Sequence, residues 1–201
     1  MHWIHPLHKR ASQHNPDHYR GLQLTSQLSK AVERFICTLF LPPLQRTLSF
    51  GQFQFAYMPG RGARDAILFI VLSWLRAFGA GQRVALYCSD VAGAFDRVPA
   101  ERLSAKLASS EIHPKHLAVL ADWLEPRSAR VVSNGAESAS IVMANMVYQG
   151  TVFGPSLWNK FYADARDPIA SSGFQEIVFA DDLNALSLST VLWMTAPFSR
   201  I

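Results

Sequence analysis

Cysteine is nearly absent: only Cys37 and Cys88 occur in 201 residues, far apart in sequence. That excludes a disulfide framework and a thiolate metal site, and it fits a reducing compartment. Long apolar runs are also missing. The longest, Ala66 to Leu75, is about half of what a bilayer requires, and Arg76 ends it. The first ten residues are rich in histidine and lack the apolar core of a secretion signal. Internal repeats and low-complexity tracts do not occur. These absences lead us to expect a soluble intracellular chain with no membrane partner, in nucleus or cytoplasm alike. A hydrophobic fraction of 49% supports a sizeable core and argues against wholesale disorder. The length suits one compact domain or part of a larger one. The formal net charge of +4 permits an anionic partner such as nucleic acid without demanding one.

What the chain does have is concentrated in short blocks. Phe179-Ala180-Asp181-Asp182 lies between two β-leaning runs, Glu176–Phe179 and Leu183–Leu188. The spacing predicts a hairpin tip, where two neighbouring carboxylates can serve one site. Two like charges so close repel, and one pKa rises unless a cation intervenes. The fitting cation for clustered carboxylates and phosphate chemistry is Mg²⁺. A solvated, turn-favouring Asp pair is the other reading.

Along the chain, residues 1–18 carry five of the seven histidines but are broken by Pro6 and Pro16. An irregular N-terminal segment is expected there. Thr25 or Ser26 caps a helix whose apolar positions are Leu28, Val32, Phe35, Ile36 and Leu39, with Pro42-Pro43 interrupting the pattern. Arg20, just before it, is either a surface cation or a guanidinium contact to a triphosphate. A second helix is predicted over residues 63–78, apolar nearly all round in its middle and therefore buried. Arg61 and Arg64 at its start oppose the helix dipole, so they either face phosphates or are plainly solvated.

Arg83 to Val91 reads as a buried strand with Asp90 at its end, followed by the small-residue turn Ala92-Gly93-Ala94-Phe95-Asp96. Residues 99–124 read as two helices broken at His113-Pro114. Ala129–Ser133 and Ser138–Val147 read as strands turned at Asn134-Gly135. The bend Tyr148-Gln149-Gly150-Thr151-Val152-Phe153-Gly154-Pro155 then feeds a helix predicted over 156–170.

In this order the blocks resemble reverse transcriptases, most closely those of non-LTR (LINE-like) retrotransposons. The resemblance covers residues 19–187. Its carriers are Tyr19 to Ser26 with Lys30, Glu33 and Arg34; Phe55 to Gly62 with Asp65 and Ala66; Ser89 to Val98; Gln149 to Pro155 with Leu157, Trp158 and Asn159; and Phe179 to Asp182. It implies an α+β fold: the fingers and palm of a right-hand polymerase, with an antiparallel sheet backed by helices and the thumb absent.

The resemblance also implies an activity, RNA-directed DNA polymerase. Nucleotidyl transfer of dNTPs onto a primer 3′-hydroxyl would use two Mg²⁺ ions and an RNA template with a DNA primer. Asp90 and Asp181 resemble the metal-bridging carboxylates, and Asp182 the third member of the catalytic triad. Phe95 resembles the gate against a ribose 2′-hydroxyl. Gln149 and Gly150 resemble the nucleotide-pocket bend, Arg20 resembles the triphosphate contact, and Asp96 is expected to be structural. The family usually has Arg at Met58 and Pro at Gly21. Residues 189–201 bear no resemblance to the family's sequence beyond its Asp-Asp block, so an unrelated or disordered tail is expected, with the thumb supplied by a longer product. The alternative is a truncated, catalytically inactive remnant that at most binds nucleic acid weakly.

Overall fold

The computed structural model describes residues 2–9 and 11–189. In chain order the elements are strand β1 (His2–His8), strand β2 (Tyr19–Leu24), helix α1 (Gln27–Arg46), helix α2 (Ala63–Gly79) and strand β3 (Arg83–Ser89). Next come helices α3 (Ala100–Ala108) and α4 (Pro114–Leu124), then strands β4 (Arg127–Ser133), β5 (Ala136–Glu137) and β6 (Ile141–Met143). Helix α5 (Phe153–Tyr162), helix α6 (Asp167–Ser171), strand β7 (Gln175–Phe179) and strand β8 (Asp182–Ser189) complete the described chain. The class is α+β, as expected. The expected tail lies outside the described residues apart from Ser189.

The elements form two compact units. One joins Met1–Gly51 to Ala92–Ala163; the other joins Gln52–Val91 to the chain from Asp164 onward. In the first, β1 lies between β2, antiparallel, and β4, parallel, while β5 and β6 pair with β4. The turn after β4 is the expected one: Asn134 and Gly135 take φ of 50° and 79°, the doubly left-handed geometry of a tight hairpin. The core of this unit gathers Phe40 and Leu44 of α1, Leu103 and Leu107 of α3, Leu120 of α4, and Phe153, Leu157 and Trp158 of α5.

Three expectations need correction here. The stretch 1–18 is not irregular throughout, because His2–His8 forms β1. Ile4 and Pro6 are half-buried while Trp3, His5 and Leu7 are exposed, an alternation hidden by the histidine-rich composition. Pro6 is tolerated because β4 pairs only with His2–Ile4, leaving that side of Pro6 unpaired. Second, α1 does not stop at Pro42-Pro43 but runs to Arg46. The prolines remove donors to the carbonyls of Thr38 and Leu39, which are exposed residues, while buried Phe40 and Leu44 anchor the helix on either side. The buried stripe of α1 is Glu33, Cys37, Phe40 and Leu44; Leu28, Val32, Phe35 and Leu39 remain exposed. Third, the helix after Gly150 starts at Phe153 and ends at Tyr162, and a short 3-10 turn separates it from α6.

The second unit holds a three-stranded antiparallel sheet in the order β3-β8-β7. Helix α2 packs on one face, setting Ala66, Phe69, Ile70 and Trp74 against Val84, Leu86, Ile177 and Leu186. Its start is fixed by Asp65 reaching back one turn, the Gly62 N–H donating to Asp65 Oδ2 at 2.7 Å. The expected all-round burial of α2 does not occur: Ile67, Leu68, Leu75 and Phe78 stay exposed, because the small sheet covers one helix face only.

Candidate active site

The site begins with the β7–β8 hairpin. Phe179 pairs with Asp182, so Ala180 and Asp181 form a two-residue loop. Ala180 has φ 59°, a left-handed conformation that costs a non-glycine residue about 1–2 kcal/mol. Gln54 compensates. Its side chain is 3% exposed, and its Oε1 accepts from the Ala180 N–H at 3.1 Å and from the Ala56 N–H at 2.9 Å. Residues 53–55 also run beside β7: the Phe55 N–H donates to Val178 O and the Val178 N–H to Phe53 O, both at 2.9 Å. Arg61, an exposed residue, donates from Nη1 to the carbonyls of Gln52 and Gln54 and so pins this loop.

Strand β3 brings the third carboxylate. Ser89 pairs with Leu183, so one further step of the same register sets Asp90 opposite Asp182. Strand alternation then puts Asp90 on the sheet face of Leu86 and Cys88, and Asp182 on that of Asn184 and Leu186. That is the face covered by α2. Asp90, Asp182, Asn184, Cys88 and Phe179 line a groove there of about 340 Å³, with Ala63 and Ile67 of α2 on its wall. Partial burial, then the charges of Asp181 and Asp90, raise the Asp182 carboxyl above its ordinary value. Among the described residues, no three His, Cys, Asp or Glu side chains are grouped so as to cage one ion. The donor set still fits Mg²⁺, a hard cation bound through one or two carboxylates with substrate phosphates completing the shell. Like-charge crowding at Asp182 is the electrostatic condition that a divalent cation relieves.

The other four candidates lie in the first unit. The Phe95 ring stacks on the buried Trp158 ring, with centroids 5.6 Å apart and planes 19° from parallel. The Phe95 carbonyl accepts from the Val147 N–H at 2.8 Å, tying the turn to the irregular segment that leads into the bend. At the bend, the Gln23 N–H donates to the Gln149 carbonyl at 3.2 Å. Gly150 has φ 92°, and a Cβ there would meet the Gln23 carbonyl oxygen at 2.9 Å, so this position requires glycine. Arg20 lies on β2, three residues before Gln23. The sequence candidates thus divide into Asp90, Asp181 and Asp182 in one unit and Arg20, Phe95, Gln149 and Gly150 in the other.

Sequence reasoning assigned no role to two supporting residues. Gln54 is one. Glu33 is the other: it is 6% exposed, its Oε1 accepts from Trp123 Nε1 at 3.2 Å, and its Oε2 accepts from the N–H groups of Val152 and Phe153 at 2.6 and 3.1 Å. The signal for Glu33 was an acid flanked by apolar positions at helical spacing. For Gln54 it was an amide set between Phe53 and Phe55.

A small antiparallel sheet with carboxylates at one end, backed by a helix, is the palm of a right-hand polymerase, here as a partial domain. Solved structures agree on the fold. A telomerase from Candida tropicalis, truncated from its C-terminal domain, matches with a TM-score of 0.57 at 9% identity, over 84% of this chain and 41% of that one. A telomerase from Candida albicans in complex with a telomeric RNA fragment matches with a TM-score of 0.52 at 12% identity, over 93% of this chain and 38% of that one. The profile described as reverse transcriptase (RNA-dependent DNA polymerase) matches residues 7–191, and the chain belongs to that family. Among its relatives is the RNA-directed DNA polymerase from mobile element jockey of Drosophila funebris, 29% identical over 88% of this chain and 20% of the relative. Another is the probable RNA-directed DNA polymerase from transposon BS of Drosophila melanogaster, 30% identical over 82% of this chain and 18% of the relative. The chain spans about a fifth of the length of these curated relatives. Among the described residues, no helix is long and apolar enough to cross a membrane.

Proposed function

We propose that this chain carries the catalytic carboxylates of an RNA-directed DNA polymerase encoded by a non-LTR retrotransposon. It joins dNTPs to a DNA primer 3′-hydroxyl on an RNA template. One observation carries the reading: the strand register that sets Asp90 opposite Asp182, at the hairpin end where Asp181 forms the turn. Acids from two distant parts of the sequence, Asp90 and the adjacent pair Asp181-Asp182, have no reason to share a strand end in a merely structural domain.

Asp90 and Asp181 would hold the Mg²⁺ ions, with Asp182 as the third carboxylate. Bound magnesium supplies Lewis-acid activation of the 3′-hydroxyl and neutralises charge on the triphosphate. The chain's own residues position the reactants. Phe95, held flat by Trp158, presents a rigid wall that excludes a ribose 2′-hydroxyl. Gln149 and the side-chain-free Gly150 shape the nucleotide pocket, and the Arg20 guanidinium contacts the triphosphate. Template and primer are held through backbone charge and duplex shape, not base identity.

Primer extension on an RNA template with Mg²⁺ tests the proposal. The expected result is incorporation that drops to background in Asp181→Ala. Incorporation untouched by that substitution would remove the site, and its absence in the parent chain would leave the inactive remnant as the correct reading.

A further inference from the structure

Asn184 is an unexpected residue where it stands. It sits inside β8 between Leu183 and Ala185, both buried, and asparagine is disfavoured in strands. The register pairs it with Ile177 on one side and Cys88 on the other. Strand alternation puts it on the face of Asp90, Asp182 and Leu186, the face covered by α2. An apolar side chain would extend the core there, since Ile177 and Leu186 pack against that helix. A half-buried amide costs free energy unless both of its ends find partners.

The nitrogen end has one. Asn184 Nδ2 donates to the Ile177 carbonyl at 3.3 Å. A carbonyl oxygen only accepts, so this bond fixes which way round the amide stands. The nitrogen is turned to β7, and Oδ1 is left to the groove that Asn184 lines together with Asp90 and Asp182. The rest of that wall offers little competition. Ala63, Ile67 and Phe179 are apolar, and the Cys88 thiol is a weak acceptor. The Cys88–Asn184 pair lies one step along the same sheet face from Asp90 and Asp182, so Oδ1 is a neutral oxygen beside the carboxylates.

Neutrality matters in this position. The charges of Asp181 and Asp90 already act on Asp182. A further acid would deepen that crowding, whereas an amide oxygen accepts a hydrogen bond without adding charge. Mg²⁺ dehydrates reluctantly, so at a site of this kind it keeps several of its waters. Those waters are polarised donors that need acceptors. We propose that Asn184 is a positioning residue of the cation site: its Oδ1 accepts a hydrogen bond from a water of the Mg²⁺ shell and so orients the ion at the strand end. This rests on the metal-dependent polymerase reading above.

The test uses the full 201-residue chain and Mn²⁺ as the probe, because the EPR signal of the free ion reports binding without turnover. Asn184→Leu and the smaller Asn184→Ala should each weaken Mn²⁺ binding about fivefold to tenfold, the loss of one hydrogen bond in a charged site. Asn184→Asp restores an acceptor oxygen and should bind at least as tightly as the parent. In primer extension, the Mg²⁺ concentration for half-maximal rate should rise by the same factor in Asn184→Leu, with the dNTP KM little changed. A purely structural amide gives a different pattern. Both apolar variants would then shift the metal-free melting midpoint and leave Mn²⁺ affinity at the parent's value, and that result overturns the proposal. Should leucine prevent cooperative melting, the alanine variant decides. Asp90→Asn separates this failure from failure of the underlying reading. If the parent binds Mn²⁺ and Asp90→Asn does not, the cation site stands whatever Asn184 does. If the two bind alike, or the parent does not bind, the cation site itself fails and the proposal with it.

Discussion

Replacing Glu33 by alanine is expected to destabilise the fold by about 3–5 kcal/mol. The carboxylate satisfies three donors: the indole N–H of Trp123 and the backbone N–H groups of Val152 and Phe153. Two of these bonds are buried, and orphaning each buried donor costs about 1–3 kcal/mol. The Val152 N–H is only partly buried, so water replaces part of its bond. The helix start at Phe153 also loses the acid that answers its free N–H groups. At about 2–4 °C per kcal/mol for a chain of this size, the melting midpoint should fall by roughly 10 °C. Glu33→Gln keeps one acceptor oxygen and should lose about half as much. Urea unfolding measures both, and a double-mutant cycle with Trp123→Phe should return a coupling of about 1 kcal/mol. An alanine variant within about 0.5 kcal/mol of the parent at equal m-value would refute the claim that this carboxylate ties α1 to the bend.

Two further outcomes are expected. Gln54→Ala removes the acceptor shared by Ala180 and Ala56, so the left-handed turn loses its support. A stability loss of about 2–4 kcal/mol by urea unfolding, with faster amide exchange at Ala180, should accompany weaker primer extension. Asp182 is protonated more readily in the fold than in the unfolded chain, where its value is near 3.8. Stability present below that value is therefore lost as pH rises through the higher folded value. Asp182→Asn should flatten the pH profile of the melting midpoint and raise it at pH 7 by about 1–4 °C, given how solvent screens an exposed charge pair. Added Mg²⁺ should narrow that gap, and an Asn variant that melts lower than the parent at pH 7 would contradict the crowding.

Much of the fold was legible because its signals are local. The Asn134-Gly135 turn, the helix after Gly62, the break before Pro114 and the hairpin at Ala180-Asp181 each depend on a few neighbouring residues. The errors arose where burial decides. The apolar positions read on α1 fall mostly on its exposed face, because periodicity reports that a helix has an apolar face but not what covers it. Pro42-Pro43 looked like a stop, because the anchoring of Phe40 and Leu44 is a tertiary contact. β1 looked irregular, because its ladder partners are on β2 and β4.

The amino-acid order by itself determined the family and singled out the carboxylates as candidates, since both depend on residue types in a fixed succession. Tertiary structure alone decided that Asp90 lies opposite Asp182, that Glu33 holds the bend and that Gln54 holds the turn. Strand register is set by burying a whole sheet face, and the partner of a buried polar atom is set by packing. Neither quantity exists until distant segments meet.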